Sequence, residues 1–237
     1  MRIVALHGQL GMASDWDGLA VKMAGADHEV SAVDLWSYLA DGEVGMEEFG
    51  RKLNQDERDG QVLLGYSMGG RLALHALLDE PEKWKAAVIV SAHAGLTPEH
   101  RVQRRVVDDE WASKAEHLPW TKFLGLWNKQ GVLGNEVMPD RASLEKRRAE
   151  ISRSFNCWSL AEQEILIDKI AVAIEIPLLF VVGKNDKKFL SLWDMLGSGM
   201  DNATVLSVSD AGHRVPWEAE DDFIDGMLSW LRGLETE

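Results

Sequence analysis

Six short runs rich in Val, Ile, Leu and Ala recur along the chain, at residues 2–6, 29–33, 61–64, 86–91, 177–182 and 204–208. Most lack the strict alternation of apolar and polar residues that marks a strand with one face in water. Strands buried on both faces read in this way, which places them in a parallel sheet covered by helices on either side. Helical spacing of apolar residues fills the intervals at 14–23, 46–53, 68–78, 189–197 and 220–231. Strand and helix in alternation predict an α/β fold with a mostly parallel sheet of about six strands.

One interval breaks the alternation. Between residues 97 and 173 no strand is evident, and amphipathic helices are expected around 100–115, 120–128, 141–154 and 160–170. The expected organisation is therefore a core made of residues 1–96 and 174–237, with a helical cap, 97–173, inserted between the fourth and fifth strands.

Charge narrows the partners. The chain has 237 residues and a net charge of −14, which disfavours nucleic acid and anionic membrane surfaces. The acidity is uneven, because Lys and Arg slightly outnumber Asp and Glu between residues 97 and 155. That local balance suits either a solvated face of mixed charge or a pocket for an anionic small molecule. No apolar run is long enough to span a membrane, and the first residues lack a signal-peptide pattern. The single cysteine, Cys157, has no internal partner for a disulfide. These features predict a cytoplasmic protein with Cys157 as a packed or idle thiol.

Chemistry concentrates at Gly65-Tyr66-Ser67-Met68-Gly69. A strand precedes this G-x-S-x-G pattern and a helix follows it. In that setting the serine sits on a sharp turn with its Oγ exposed, while the helix start directs amide N–H groups at developing negative charge. A nucleophilic serine needs a base, and the base needs an orienting acid. His213 follows the last strand in Asp210-Ala211-Gly212-His213 and is the expected base. Asp186, just after the fifth strand, is the expected acid. Its competing roles are capping the next helix or pairing with Lys187 or Lys188, and Asp210 is the alternative acid. The first strand runs into His7-Gly8-Gln9-Leu10-Gly11, a turn suited to an oxyanion hole built from the backbone N–H groups of Gln9 and Met68. His7 itself is expected to tie that loop together, and His93, past the fourth strand, is placed to line the pocket. No cluster has metal-ligand spacing and no phosphate- or dinucleotide-binding glycine pattern occurs, so neither metal nor cofactor is expected.

These motifs resemble the α/β-hydrolase superfamily over nearly the whole chain. The turn continuing into Gly70-Arg71, the segment Ser91-Ala92-His93-Ala94-Gly95-Leu96, and Arg101-Val102-Gln103-Arg104-Arg105 with Asp108 and Trp111 are similar to one branch of it. That branch is the 2-succinyl-6-hydroxy-2,4-cyclohexadiene-1-carboxylate synthases of menaquinone biosynthesis, which eliminate pyruvate from a cyclohexene precursor. The resemblance implies a hydrolase-type sheet without its first two strands. It also implies that Arg71, Arg104 and Arg153 bind substrate carboxylates, that Trp127 lines the pocket and that Tyr66 flanks the nucleophile. The physical reading agrees for Arg71, which lies one helical turn after Ser67. Guanidinium forks bind carboxylates bidentately. One departure stands out: the branch has Pro-Gly-His-Gly after the Asp-Leu that ends the second strand, whereas Asp34-Leu35 here leads into Trp36-Ser37-Tyr38-Leu39.

The expected function is triad-dependent elimination of pyruvate from a polycarboxylate. The same triad would serve a carboxylesterase of small esters, in which Ser67 attacks a carbonyl. A non-catalytic ligand-binding protein on this fold is a third reading, which an intact triad disfavours.

Overall fold

The computed structural model describes residues 1–134, 139–187, 189–190 and 199–235. Six parallel strands form one sheet: β1 (Arg2–Leu6), β2 (Glu29–Val33), β3 (Gln61–Tyr66), β4 (Trp84–Val90), β5 (Leu178–Gly183) and β6 (Ala203–Val208), in the order β2-β1-β3-β4-β5-β6. The order reverses direction beside β1 and β3. Loops leaving the carboxyl ends of these two strands therefore open a crevice, the usual place for a site in such a sheet.

Alternate residues of each strand enter opposite apolar layers. Ile3, Ala5, Val62, Leu64, Val88 and Val90 pack with Leu19 and Met23 of α1 (Asp17–Ala24) and with Phe223, Met227 and Leu231 of the C-terminal helix Glu220–Gly233. Val4, Leu6, Leu63, Ile89 and Phe180 face the other layer, with Phe49 and Leu53 of α2 (Met46–Asp56) and Leu72 and Leu77 of α3 (Met68–Asp79). Burial on both sides explains the continuous apolar runs.

Between β4 and β5 the chain forms α4 (Pro98–His117), α5 (Trp120–Trp127), α6 (Arg148–Cys157) and α7 (Ile167–Ala173). The apolar residues Trp120, Phe123, Ile151 and Phe155 of this segment join the same cluster as the α2–α3 side of the sheet. The cap and the core thus share one continuous interior.

Several elements differ from the sequence expectation, among them the helix expected over 14–23, which starts as a 3-10 segment, Ala13–Trp16. The strand expected from residue 86 begins at Trp84: solvent-exposed Lys85 interrupts its apolar run and sits at a register shift, with Trp84 pairing Gln61 and Ala86 pairing Val62. The helix expected over 141–154 starts as a 3-10 segment, Ala142–Arg147. The helix expected over 160–170 divides into a 3-10 turn, Leu160–Glu162, and α7. The break occurs where the backbone turns aside to brace the loop after β4: Leu166 N donates to Ala94 O at 2.7 Å and Gln163 Nε2 to His93 O at 2.7 Å. Of the helix expected over 189–197, all but residues 189 and 190 lies outside the described residues. Among the described residues, no helix is long and apolar enough to cross a membrane.

Candidate active site

Ser67 occupies the junction of β3 and α3 with φ 53° and ψ −110°. A non-glycine residue holds such backbone angles only when its surroundings over-determine them. The flanking glycines allow that. A Cβ on Gly69 would lie 2.5 Å from the carbonyl oxygens of both Leu6 and His7, and one on Gly65 would lie 2.6 Å from Gly69 O. The first turn of α3 therefore presses directly onto the end of β1, and Ser67 projects from the bend.

The sequence-predicted acid and base meet at this serine. Ser67 Oγ lies 3.0 Å from His213 Nε2, and His213 Nδ1 lies 2.9 Å from Asp186 Oδ2. Asp186 is fixed by the turn after β5, where its N–H donates to Gly183 O. His213 is largely buried, between the rings of Tyr66 at 5.7 Å and Phe189 at 5.0 Å. Asp186 rather than Asp210 is thus the carboxylate in contact with the imidazole, and Asp210 lies in the preceding turn with φ 57°.

Gln9 and Met68 flank the serine. Among the described residues, neither backbone N–H donates to a protein acceptor, so both are free for an oxyanion. His7 is wholly buried and structural. Its Nδ1 meets Gly8 O at 2.9 Å, and its Nε2 accepts from Leu35 N at 3.3 Å. Burial pushes its pKa down to about 4, so the ring is neutral.

A cavity of about 490 Å³ opens over Ser67. Its wall includes Gln9, Tyr66, Met68, Arg71, His93, Arg104 and Trp127. Arg71 approaches from α3. Burial and the neighbouring Arg104 charge push it down to about 9, still protonated at neutral pH. Among the described residues the only hydrogen-bond acceptor of its guanidinium is Met46 Sδ, at 3.5 Å. Arg104 differs. Its Nε donates to Asp108 Oδ2 at 2.8 Å, and the same oxygen accepts from Ser159 Oγ at 2.7 Å. Arg104 is thus paired directly with Asp108, whereas Arg71 feels that carboxylate only at a distance and makes no ion pair among the described residues. Trp127 stands at the rim of the cap's aromatic cluster, 5.2 Å from Trp111 and 5.5 Å from Phe155.

A strained serine on a strand–helix bend, a base and acid in that chain order and two free amides are found together in one large fold family. The sequence model of the Alpha/beta hydrolase family matches residues 3–225. The chain belongs to the α/β-hydrolase family. It is similar to the 2-succinyl-6-hydroxy-2,4-cyclohexadiene-1-carboxylate synthase of Pectobacterium atrosepticum, 29% identical over 225 residues that cover 89% of this chain and 86% of that one. The synthase of the same name from Salmonella newport is 28% identical over 176 residues, 72% of this chain and 68% of that one. Among solved structures, MenH from S. aureus superposes with a TM-score of 0.84 at 19% identity, covering 99% of this chain and 94% of that one. An esterase from Exiguobacterium antarcticum superposes at 0.76 with 14% identity, covering 98% and 92%. Likeness at those identities speaks for the fold alone.

Within this hydrolase frame, one expected site residue is displaced. Arg153 does not line the cavity: its Nη1 donates to Leu39 O, on the loop after β2. Its neighbour Ser154 faces the cavity instead, and Ser154 Oγ accepts from Gln9 Nε2 at 2.8 Å. Successive residues on a helix point about 100° apart, and α6 is rotated so that Ser154 and Phe155 face the cavity while Arg153 points towards the loop after β2. The sequence reading also missed Trp158, Ser159 and Phe189, all in the cavity wall. Nothing in their local pattern separates them from ordinary core residues. The motif Arg104-x-x-x-Asp108 was the one available signal, since i and i+4 share a helix face.

Proposed function

We propose that this enzyme eliminates pyruvate from a carboxylate-bearing cyclohexene, as the names of its synthase relatives suggest, and that it does so in the cytoplasm, where the thiol of Cys157 stays free. The observation that carries the reading is Arg71. A desolvated guanidinium without a carboxylate partner among the described residues, in the same cavity as the triad, is poised for an anionic substrate.

In this reading the carboxylate docks on Arg71, with Arg104 as a second anchor. Ser67 Oγ takes the proton from a ring carbon beside a carbonyl as its own proton passes to His213 Nε2. Asp186 stabilises the imidazolium, and the enolate oxygen sits on the N–H groups of Gln9 and Met68. The ring enolate re-forms its carbonyl through the conjugated double bond. The C–O bond breaks, and its electron pair leaves on the enolate of pyruvate, which is then protonated. Ser67 forms no covalent bond to substrate.

The test compares wild type with Ser67→Ala on the cyclohexene precursor and on a neutral p-nitrophenyl ester. Pyruvate release that falls by roughly a thousandfold or more in Ser67→Ala is the expected result. Ester turnover without pyruvate release reassigns the enzyme to ester hydrolysis, the activity named for its esterase neighbours.

A further inference from the structure

The segment Trp36-Ser37-Tyr38-Leu39, which departs from the synthase pattern, has no part in the triad or the carboxylate pocket. Its first residue nevertheless reaches the oxyanion hole. Asp34 caps the 3-10 turn Leu35–Leu39 by accepting from Trp36 N at 3.2 Å, which directs the Trp36 ring back under the loop after β1. There the buried Trp36 Nε1 donates to Gly11 O at 2.8 Å.

That loop needs a brace. Gly11 N donates to Gly8 O at 2.9 Å, closing a turn with Gln9 and Leu10 as its central residues. Leu10 holds φ 55°, a conformation that favours glycine at this turn position. Strain of this kind amounts to about 1–3 kcal/mol and persists only when neighbours fix it. His7 holds the Gly8 carbonyl at one end of the turn, and Trp36 holds the Gly11 carbonyl at the other. Between them lies Gln9, whose N–H is one of the two oxyanion donors.

We propose that Trp36 is a positioning residue. Its indole N–H locks the strained Gly8–Gly11 turn so that Gln9 N–H is aimed at the developing oxyanion before substrate arrives. The Trp36 ring also stacks on Trp158, 6.5 Å away at 26°, and Trp158 lines the cavity. The brace therefore runs from the cavity wall to the oxyanion turn. It rests on the triad being catalytic and not on which reaction the triad performs, since elimination and ester hydrolysis both place negative charge on Gln9 N–H.

The test is Trp36→Phe, which keeps a ring and removes the donor, compared with Trp120→Phe. Trp120 Nε1 makes a similar buried bond, 2.9 Å to Arg141 O, within the cap and outside the cavity wall. Thermal midpoint, kcat and KM are measured for both, on whichever substrate the wild type turns over. The expected result is a kcat lower by about tenfold or more in Trp36→Phe, with KM within about twofold. Trp120→Phe is expected to lose similar stability and keep its kcat. An unchanged kcat in Trp36→Phe overturns the proposal, as does an equal loss of kcat in both variants. Should Trp36→Phe fail to fold, the rate at which a phosphonate ester labels Ser67 in Trp36→His, which keeps an N–H donor on a smaller ring, decides. Labelling faster than in Trp36→Leu, which has no donor, supports the brace, and equal labelling in the two variants overturns it.

Discussion

Arg104 is tied to Asp108 at 2.8 Å, whereas Arg71, facing the same cavity, has no carboxylate partner among the described residues. Two guanidinium groups that look equivalent in the sequence are therefore unequal as anion sites. In the proposed reaction Arg71 is the primary anion site, and Arg104 would engage a ligand only in competition with Asp108.

Removing Arg71 is expected to separate binding from stability. Arg71→Met should lower kcat/KM for a carboxylate substrate by roughly a hundredfold or more, since a hydrogen bond to a charged group contributes about 1.5–3 kcal/mol and this fork can make two. Turnover of a neutral ester should change little. The thermal midpoint should rise, by about 2–4 °C for each kcal/mol of desolvation relieved. Steady-state kinetics and a melting curve on one preparation check both signs. Equal loss on charged and neutral substrates counts against the anion site.

Asp108→Asn is expected to act in the opposite sense. The carboxylate that neutralises Arg104 disappears while the contact with Ser159 Oγ can persist. Inhibition by a dicarboxylate such as succinate should strengthen by roughly fivefold, an energy on the order of 1 kcal/mol for one added charge in a partly screened pocket. Inhibition by acetate should shift less. A dicarboxylate constant that weakens instead means that Asp108 serves Arg104 as a positioning clamp rather than a competitor.

Buried His7 and half-buried His75 predict a pH dependence of folding. Burial pushes both His7 and His75 down to about 4. In the unfolded chain they titrate near 6.5, the ordinary value for histidine, so between these limits the unfolded state binds more protons. The stability from keeping them neutral is fully present above about pH 6.5. It is lost as the pH falls towards about 4, at up to about 1.4 kcal/mol per pH unit for each histidine. Urea unfolding across that window should show the slope, and His75→Gln should remove the share due to His75.

Glycines at the bend and in the cap should respond oppositely to alanine. A Cβ at Gly69 meets two carbonyl oxygens at 2.5 Å, whereas one at Gly125 in α5 meets nothing within 4 Å. Gly69→Ala should destabilise by several kcal/mol, on the order of the larger core overpacking effects. Gly125→Ala should stabilise by about 0.5–1 kcal/mol through helix propensity and a less flexible unfolded chain. Denaturant midpoints of the two variants give the comparison directly.

By itself the sequence determined the sheet and which acid and base would meet Ser67. Apolar runs with no alternation imply strands covered on both faces, and that property is local. Ser67, Asp186 and His213 follow the carboxyl ends of β3, β5 and β6, so a parallel sheet carries them to one edge however the remaining loops run. Tertiary structure alone decided which side chains fill the cavity and which support it. Ser154 rather than Arg153 faces inward because the packing of α6 sets its rotation, and adjacent residues in the sequence cannot reveal that. Asp108 and Ser159 meet across 51 positions, Gln9 and Ser154 across 145. The bond from Trp36 to Gly11 joins two loops that the sequence separates by a helix and a strand. Such pairings depend on how loops and helices dock, which arises from the shared interior of cap and core and is written in no local pattern of residues.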